Sequence, residues 1–193
     1  MATKTSKKKL DLKPKRLGSD RLLAALNAQV GHEMHASVQY VAIAAHFDAE
    51  NLPRLAAFFY RQADEERVHS MKFVRHVVDL GGKLAMPAIA APKPTFASAA
   101  EAVALSLKWE HTVTGQIYDL VDIAKNDRNY IAMRFLDWFV SEQLEEINSM
   151  ETLLSLVERA GEDNLLLVED YIAQNAIGDG GAGGGPAASG AGE

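Results

Sequence analysis

Four long stretches of this chain repeat apolar residues every three or four positions, and this period constrains the fold more than any other feature. The stretches cover about 20–48, 53–82, 98–124 and 129–160, and a shorter apolar stretch follows at 163–177. Side chains at this spacing lie on one face of an α-helix, so each stretch predicts a helix with one buried face. No stretch alternates apolar and polar residues as a strand does, and the chain is therefore predicted to be all-α.

The links between the stretches indicate the topology. Only a few residues join the first helix to the second and the third to the fourth, which predicts two antiparallel hairpins. Ser98 and Glu101 form a capping box that marks the start of the third helix. The preceding link, 81–97, is long and contains three prolines, so it can run the length of a bundle as an extended segment. We therefore expect a four-helix bundle with one long crossover and a short fifth helix.

The two ends of the chain differ in composition from its body. Residues 1–16 carry seven basic residues and one acid, a local charge of +6, whereas the rest carries 13 basic and 25 acidic residues, a net −12. Residues 178–193 hold eight of the 14 glycines. We interpret 1–18 as a basic flexible arm, 19–177 as a single domain and 178–193 as a Gly/Ala-rich disordered tail. The acidic body would attract cations and repel nucleic acid.

The composition also excludes several kinds of protein. The chain has no cysteine, which excludes disulfides, thiolate metal sites and a cysteine nucleophile. No apolar run approaches the roughly 20 residues that span a bilayer, and the N-terminus lacks the apolar core of a signal peptide. We therefore expect a cytoplasmic protein without a membrane partner.

Each of the four apolar stripes is interrupted near its middle, and none of the stripes carries a lysine or arginine. A buried, unpaired carboxylate costs several kcal/mol, so four of them would offset most of the ~5–15 kcal/mol stability of a domain. Shared protons or bound cations must neutralise these groups, and two divalent ions would match four glutamates in charge. The interrupting residues are Glu33, Glu66, His69, Glu110, Gln143 and Glu146.

The spacing of these residues favours a metal site over chance. Glu66 and His69 lie three residues apart, on adjacent turns of one helix face, and can reach the same ion. One Glu-x-x-His pair is common by chance, and a single glutamate on a stripe often means a stripe drawn one residue off. Four coincident interruptions of ligand type predict a dinuclear site instead. Oxygen-rich ligation with one imidazole suits Fe(II), and also Mn(II) or Zn(II).

Four stretches carry a family resemblance: LNAQVGHEMHASVQY (26–40), FFYRQADEERVHSM (58–71), KWEHTVT (108–114) and FLDWFVSEQLEEI (135–147). With them, residues 20–177 resemble the ferritins, and most closely the haem-free prokaryotic type, including the actinobacterial one. The resemblance implies a five-helix subunit and a cage of 24 copies. It also implies an iron-storage protein with ferroxidase activity, which oxidises Fe(II) at a dinuclear site with O2 or H2O2 and stores a ferric oxyhydroxide mineral.

The same resemblance implies roles for individual residues. Glu33 and His69 would bind the first iron, Glu66 would bridge both irons, and Glu110 and Glu146 would hold the second iron. The residues with supporting roles would be Gln143, which contacts or orients the ligands, Tyr40, which donates a hydrogen bond or an electron, and Glu65, Glu142 and Glu145, which bind a third iron. Those last three glutamates are equally well explained as ordinary exposed helix charges.

Two departures from the haem-containing bacterioferritins predict a protein without haem. Those proteins place a methionine after the bridging glutamate, where this chain has Arg67, and a histidine where this chain has Glu146. Two other functions remain open at this point: a non-storage di-iron oxidase, and a cage that binds DNA or another polyanion through its lysine-rich arm. The C-terminal tail is also a candidate for docking the cage into a larger protein shell.

Overall fold

The computed structural model describes residues 16–175 and residue 177. This part of the chain is helical and contains no strand, as the sequence predicts. Four long helices are followed by a single 3-10 turn at Glu162–Asn164 and a short helix. The helices are α1 (Asp20–Ala49), α2 (Pro53–Asp79), α3 (Ala99–Asn126), α4 (Tyr130–Ala160) and α5 (Leu165–Gln174).

The fifth helix is shorter than the stretch 163–177 that the sequence favours. Gly161 has a positive φ of 72° and ends α4. The 3-10 turn then occupies three residues before α5 begins. Asn175 is extended, with φ −129° and ψ 134°, and ends α5 at Gln174.

Side-chain caps begin three of the four long helices. The hydroxyl of Ser19 accepts a hydrogen bond from the Leu22 N–H at 3.0 Å, and Ser98 accepts one from the Glu101 N–H at 3.0 Å. The expected capping box of α3 is therefore formed in one direction. In the other direction the Glu101 carboxylate accepts from the N–H of Ala97 instead, at 2.6 Å.

The crossover, residues 81–97, lies along α1. Two buried α1 side chains hold its backbone, since Asn27 accepts from the N–H of Ala85 at 2.7 Å and Gln39 accepts from the N–H of Lys93 at 2.7 Å. Between them, the Nδ1–H of His35 donates to the carbonyl of Ala90 at 3.2 Å. Asn27, Gly31, His35 and Gln39 recur every four residues and form one face of α1. The topology is therefore two hairpins joined by a long crossover, as predicted.

The C-terminal segment caps two other helices. Glu169 on α5 is buried and caps α2. Its two carboxylate oxygens accept hydrogen bonds from the N–H groups of Arg54 and Leu55, in the first turn of α2, at 2.8 Å each. Glu162 does the same for α3, accepting from Ala99 at 3.1 Å and Ala100 at 3.3 Å. A carboxylate at a helix N-terminus satisfies free N–H groups and opposes the positive end of the helix dipole. These contacts join α5 to the bundle.

The apolar core is divided into two clusters. One fills the end of the bundle that includes Tyr40, Phe59 and Leu153, and the other fills the opposite end, with Phe73, Ile117 and Phe139. The layer between them is polar and buried, with a contribution from every long helix. This polar layer is the position at which the four apolar stripes are interrupted in the sequence.

The ends of the domain lie close to the limits of the described residues. Leu17 and Gly18, which the sequence assigns to the basic arm, donate through their backbone N–H groups to the carbonyl of Leu80 at 2.9 and 3.2 Å. Residues 1–15 of the arm and the tail, 178–193, lie outside the described residues. Across residues 16–175 and 177, none of the helices has both the length and the hydropathy required to cross a membrane.

Candidate metal centre

All four long helices place chemically active side chains in the polar layer. Each of the side chains concerned is at most 7% exposed. The sequence predicted seven of them as iron ligands or as their neighbours, and the structure brings these together at mid-height of the bundle. They are Glu33, Glu66, His69, Glu110, Glu142, Gln143 and Glu146, and Tyr40 lies buried beside them.

The first group of ligand atoms comes from α1 and α2. Atoms of Glu33, Glu66 and His69 lie within 4.8 Å of one another. The Nδ1 of His69 is 3.5 Å from Oε2 of Glu66, as the three-residue spacing in one helix predicts. The Oε2 atoms of Glu33 and Glu66 are buried without a hydrogen-bond partner. Buried oxygens in this state are suited to bind a cation.

The second group adds two carboxylates from α4. Atoms of His69, Glu142 and Glu146 also lie within 4.8 Å of one another, and the Nε2 of His69 is 3.6 Å from Oε1 of Glu142. Both imidazole nitrogens therefore face carboxylates. The interpretation of Glu142 as an ordinary exposed charge does not fit its position, because the residue is only 7% exposed.

Glu110 faces the same layer from α3. The phenol of Tyr40 donates a hydrogen bond to its Oε1, and its Oε2 is buried without a partner. The side chain of Gln143 also interacts with this carboxylate, while the amide oxygen of Gln143 accepts from the Thr114 hydroxyl at 2.8 Å. Gln143 thus turns its amide nitrogen towards Glu110, which fits a residue that orients a ligand.

The remaining two predicted carboxylates occupy different environments. Glu65 is half-buried, accepts a hydrogen bond from the amide of Gln62 and interacts electrostatically with Glu142. Glu145 is exposed on α4 and belongs to neither group of ligand atoms found among the described residues.

Burial and mutual repulsion oppose ionisation of the central carboxyls. Burial raises the pKa of Glu33 well above its ordinary value, and the charge of Glu66 raises it further. The pKa values of Glu66 and Glu146 are raised well above the ordinary range by the same two causes, with Glu110 as the repelling neighbour. Burial also raises the pKa of Glu110, although the hydrogen bond from Tyr40 opposes this. Protons therefore compete with cations for these carboxyls, and bound cations would displace them.

For His69, the neighbouring carboxylates outweigh burial in setting the direction of the pKa shift. Burial lowers its pKa, but the close contact with Glu142 and the charges of Glu33 and Glu146 outweigh burial, and the net pKa is raised. Its ring also packs edge-on against Trp138, with ring centroids 5.4 Å apart. The imidazole is thus held by apolar contacts and surrounded by negative charge.

Sequence reasoning missed the residues that hold the ligands. Gln29 donates to Oε1 of Glu33 at 2.9 Å, and Thr114 holds Gln143. Gln29 lies four residues before Glu33, and Thr114 four residues after Glu110. A polar side chain one helical turn from each candidate ligand is the signal that could have identified them.

A surface groove of about 990 Å³ lies apart from this layer. Its walls come from α2 and α4 and combine apolar side chains such as Met71 and Phe135 with basic ones such as Arg67 and Arg75. None of the central carboxylates lines the groove. The candidate metal centre is instead an enclosed layer of the bundle, because the central carboxylates and His69 are each at most 7% exposed.

A four-helix bundle with a long crossover and a buried mid-layer of glutamates around a Glu-x-x-His pair defines the class of carboxylate-rich metal-binding bundles. The sequence profile of the ferritin-like domain matches residues 23–160. The chain belongs to the ferritin family, the family of iron-storage proteins.

Individual relatives support the same assignment. The chain is 40% identical to ferritin BfrB of Mycobacterium tuberculosis over 151 residues, which are 78% of this chain and 83% of that protein. It is 39% identical to a bacterial non-heme ferritin of Staphylococcus aureus over 160 residues, 83% and 95% of the two chains. A crystal structure of an open pore ferritin from Archaeoglobus fulgidus superimposes with a TM-score of 0.78 at 28% identity, covering 82% of this chain and 98% of that one. The predicted resemblance to prokaryotic ferritins is confirmed.

Proposed function

We propose that this protein oxidises Fe(II) in the buried polar layer before the iron is stored. The observation that carries the proposal is the convergence of Glu33, Glu66 and His69, whose ligand atoms lie within 4.8 Å of one another. Two of their oxygens, Oε2 of Glu33 and Oε2 of Glu66, are buried without a hydrogen-bond partner. An oxygen-rich donor set with one imidazole suits Fe(II).

In this proposal each iron has its own donors and the two share one carboxylate. Glu33, Glu66 and His69 would hold the first Fe(II), as their geometry favours. Glu66 would bridge to a second Fe(II) held by Glu110 and Glu146. Repulsion by Glu110 raises the pKa values of Glu66 and Glu146, which supports a role for the three carboxylates around one ion, although Glu110 lies outside both groups of ligand atoms within 4.8 Å. Tyr40 and Gln143 would orient Glu110.

The proposed reaction is a two-electron transfer to O2 or H2O2. Each of two Fe(II) ions loses one electron. With two protons, the electron pair reduces O2 to H2O2, or cleaves the O–O bond of H2O2 to give two waters. The layer releases protons when iron binds, because its carboxyls have raised pKa values.

We further propose that a third iron binds beside the first two. His69, Glu142 and Glu146 form the second group of ligand atoms, and the half-buried Glu65 interacts electrostatically with Glu142. Glu65 and Glu142 would hold this ion together with Glu146. Glu145, which the resemblance also implied, is exposed and would contribute less than the other two.

We also propose that the iron is stored as a ferric oxyhydroxide mineral in a cage of 24 subunits in the cytoplasm. Members of the ferritin family assemble as cages, and α5 of this chain supports assembly. Its inner face is anchored by the buried Val168 and Glu169, while Leu166 and Leu167 are 71% and 63% exposed. An apolar surface of this kind on a subunit favours burial against other copies. The basic arm and the Gly-rich tail have no role in this proposal.

The decisive test is stopped-flow oxidation of Fe(II) by variants of the first group. We expect Glu66→Ala and His69→Ala to abolish the fast phase, because each removes ligands from the first iron. Matched controls are Glu151→Ala and His111→Ala, since both side chains are exposed and outside the layer. Circular dichroism and size exclusion verify fold and assembly. Oxidation by Glu66→Ala or His69→Ala at the parental rate would show that the site is assigned incorrectly.

A further inference from the structure

Gln29 is a buried side chain that the proposed reaction does not use directly. It lies on α1, one turn before Glu33, and is 1% exposed. Its amide Nε2 donates to Oε1 of Glu33 at 2.9 Å. A buried amide group is retained in a core only when its hydrogen bonds are satisfied there.

The orientation of this amide is fixed by a second residue. The Oε1 of Gln29 lies 3.2 Å from Nδ1 of His32. An amide oxygen only accepts hydrogen bonds, so Nδ1 of His32 carries the hydrogen and donates it. The half-buried imidazole is itself held from α3 by the side chain of Gln116. The Glu33 carboxylate and the His32 imidazole thus hold the two ends of the Gln29 amide, with its nitrogen end facing Glu33.

This chain of contacts engages one oxygen of Glu33 and leaves the other for the layer. Its Oε1 is occupied by Gln29, whereas its Oε2 is buried without a geometric hydrogen-bond partner, and the carboxyl interacts with that of Glu66. Glu110, on the other side of the layer, is arranged in the same way, with Oε1 held by Tyr40 and Oε2 free. Both carboxylates thus offer a single oxygen to the layer, each held by a neutral donor.

We propose that Gln29, locked by His32, is a positioning residue that makes Glu33 bind the first Fe(II) through one oxygen and keeps a coordination position of that ion open. The inference rests on the proposed function. If Gln29 could not donate, the Oε1 of Glu33 would be free to bind the ion as well. Two bound oxygens would fill the position that an oxidant needs, and loss of the supporting hydrogen bond would weaken binding.

The test uses anaerobic titration of the assembled protein with Co(II), whose visible absorption weakens as its coordination number rises. We expect Gln29→Met, which keeps the side-chain length but cannot donate, to lower the affinity of the first site about tenfold and to weaken the absorption of the bound ion. We expect His32→Leu to give the same change in smaller degree. His32→Gln, which provides another N–H donor, should restore the parental spectrum.

Gln39→Met is the matched control. Gln39 is also a buried glutamine on α1, but it bonds to the crossover at Lys93 and not to a ligand. Equal Co(II) spectra and affinities for Gln29→Met and Gln39→Met would overturn the inference. If Gln29→Met does not assemble, His32→Leu is compared with His32→Gln instead. Identical Co(II) spectra for these two variants would also overturn the inference. Failure of the proposed function has a different signature, since Glu66→Ala would then leave Co(II) binding unchanged.

Discussion

Substitution of Gly31 by alanine tests whether the crossover is packed against α1 as tightly as the structure shows. A Cβ at position 31 would lie 2.2 Å from Cγ and 3.2 Å from Cδ of Pro87. Ordinary contact between carbons begins near 3.5 Å, so the crossover would have to move by more than 1 Å. It is held on both sides of this point, by Asn27 and by His35.

We expect Gly31→Ala to destabilise the protein, although helix propensity alone would make alanine stabilising at this position. Alanine is favoured over glycine inside a helix by about 1 kcal/mol. Overpacking costs about 1–3 kcal/mol, and loosening the two neighbouring hydrogen bonds costs about 1 kcal/mol each. The net expectation for Gly31→Ala is a loss of about 3 kcal/mol, which lowers the Tm of a chain of this size by about 6–12 °C.

The control is another glycine inside a helix. A Cβ added to Gly115, on α3, would have no heavy atom of a neighbouring residue within 4 Å, so Gly115→Ala should raise Tm by about 2–4 °C through helix propensity alone. Both variants are measured by thermal unfolding at one protein concentration, because assembly makes Tm depend on concentration. If Gly31→Ala were stabilised as much as Gly115→Ala, the close contact of the crossover with α1 would be refuted.

Three further predictions concern buried carboxylates. Glu169→Ala should cost about 2 kcal/mol by removing two hydrogen bonds from the start of α2, and limited proteolysis should then cut near α5; unchanged Tm and protection would contradict the capping role. Metal-free protein should lose stability as pH rises above about 4.3, the ordinary pKa of a glutamate in the unfolded chain. Because the pKa values of Glu33 and Glu66 are raised in the folded state, that state binds more protons than the unfolded one. Glu33→Gln should accordingly raise the Tm of metal-free protein at pH 7, because the amide is neutral without binding a proton; a lower Tm would contradict this reasoning. Tyr40→Phe removes the hydrogen bond that lowers the pKa of Glu110, so the midpoint of Zn(II) binding should move to higher pH, and an unmoved midpoint would exclude this role.

The helices and the height of the polar layer could be predicted because both depend on local periodicity. Apolar side chains recur with the helical period, and the interruption of each stripe marks a position that faces inward without being apolar. Glu33, Glu66 and Glu110 were found in this way, and all three are buried. The length of the 81–97 link likewise predicted a crossover, since a short link could not have returned along the bundle.

The partners of these residues could not be predicted, because they depend on contacts between segments distant in sequence. Asn27, His35 and Gln39 form a polar face of α1 that resembles an exposed face until the crossover lies on it. The apolar periodicity did not indicate the inward position of Glu142 for a related reason, and only the family resemblance implied a metal-binding role for it. It stands beside Gln143 and one turn before Glu146, so a stripe drawn through those two leaves it at the edge. Only the rotation of α4 in the bundle turns it inward.

The division of the core into two apolar clusters has a consequence for how such a chain can change over time. Each end of the bundle is packed on its own, with rings such as Phe59 at one end and Phe139 at the other. Substitutions in the layer between them alter chemistry while the packing at both ends keeps the helices in place. The architecture therefore separates what maintains the shape from what selects the ion, and new reactivities can be explored there without rebuilding the scaffold.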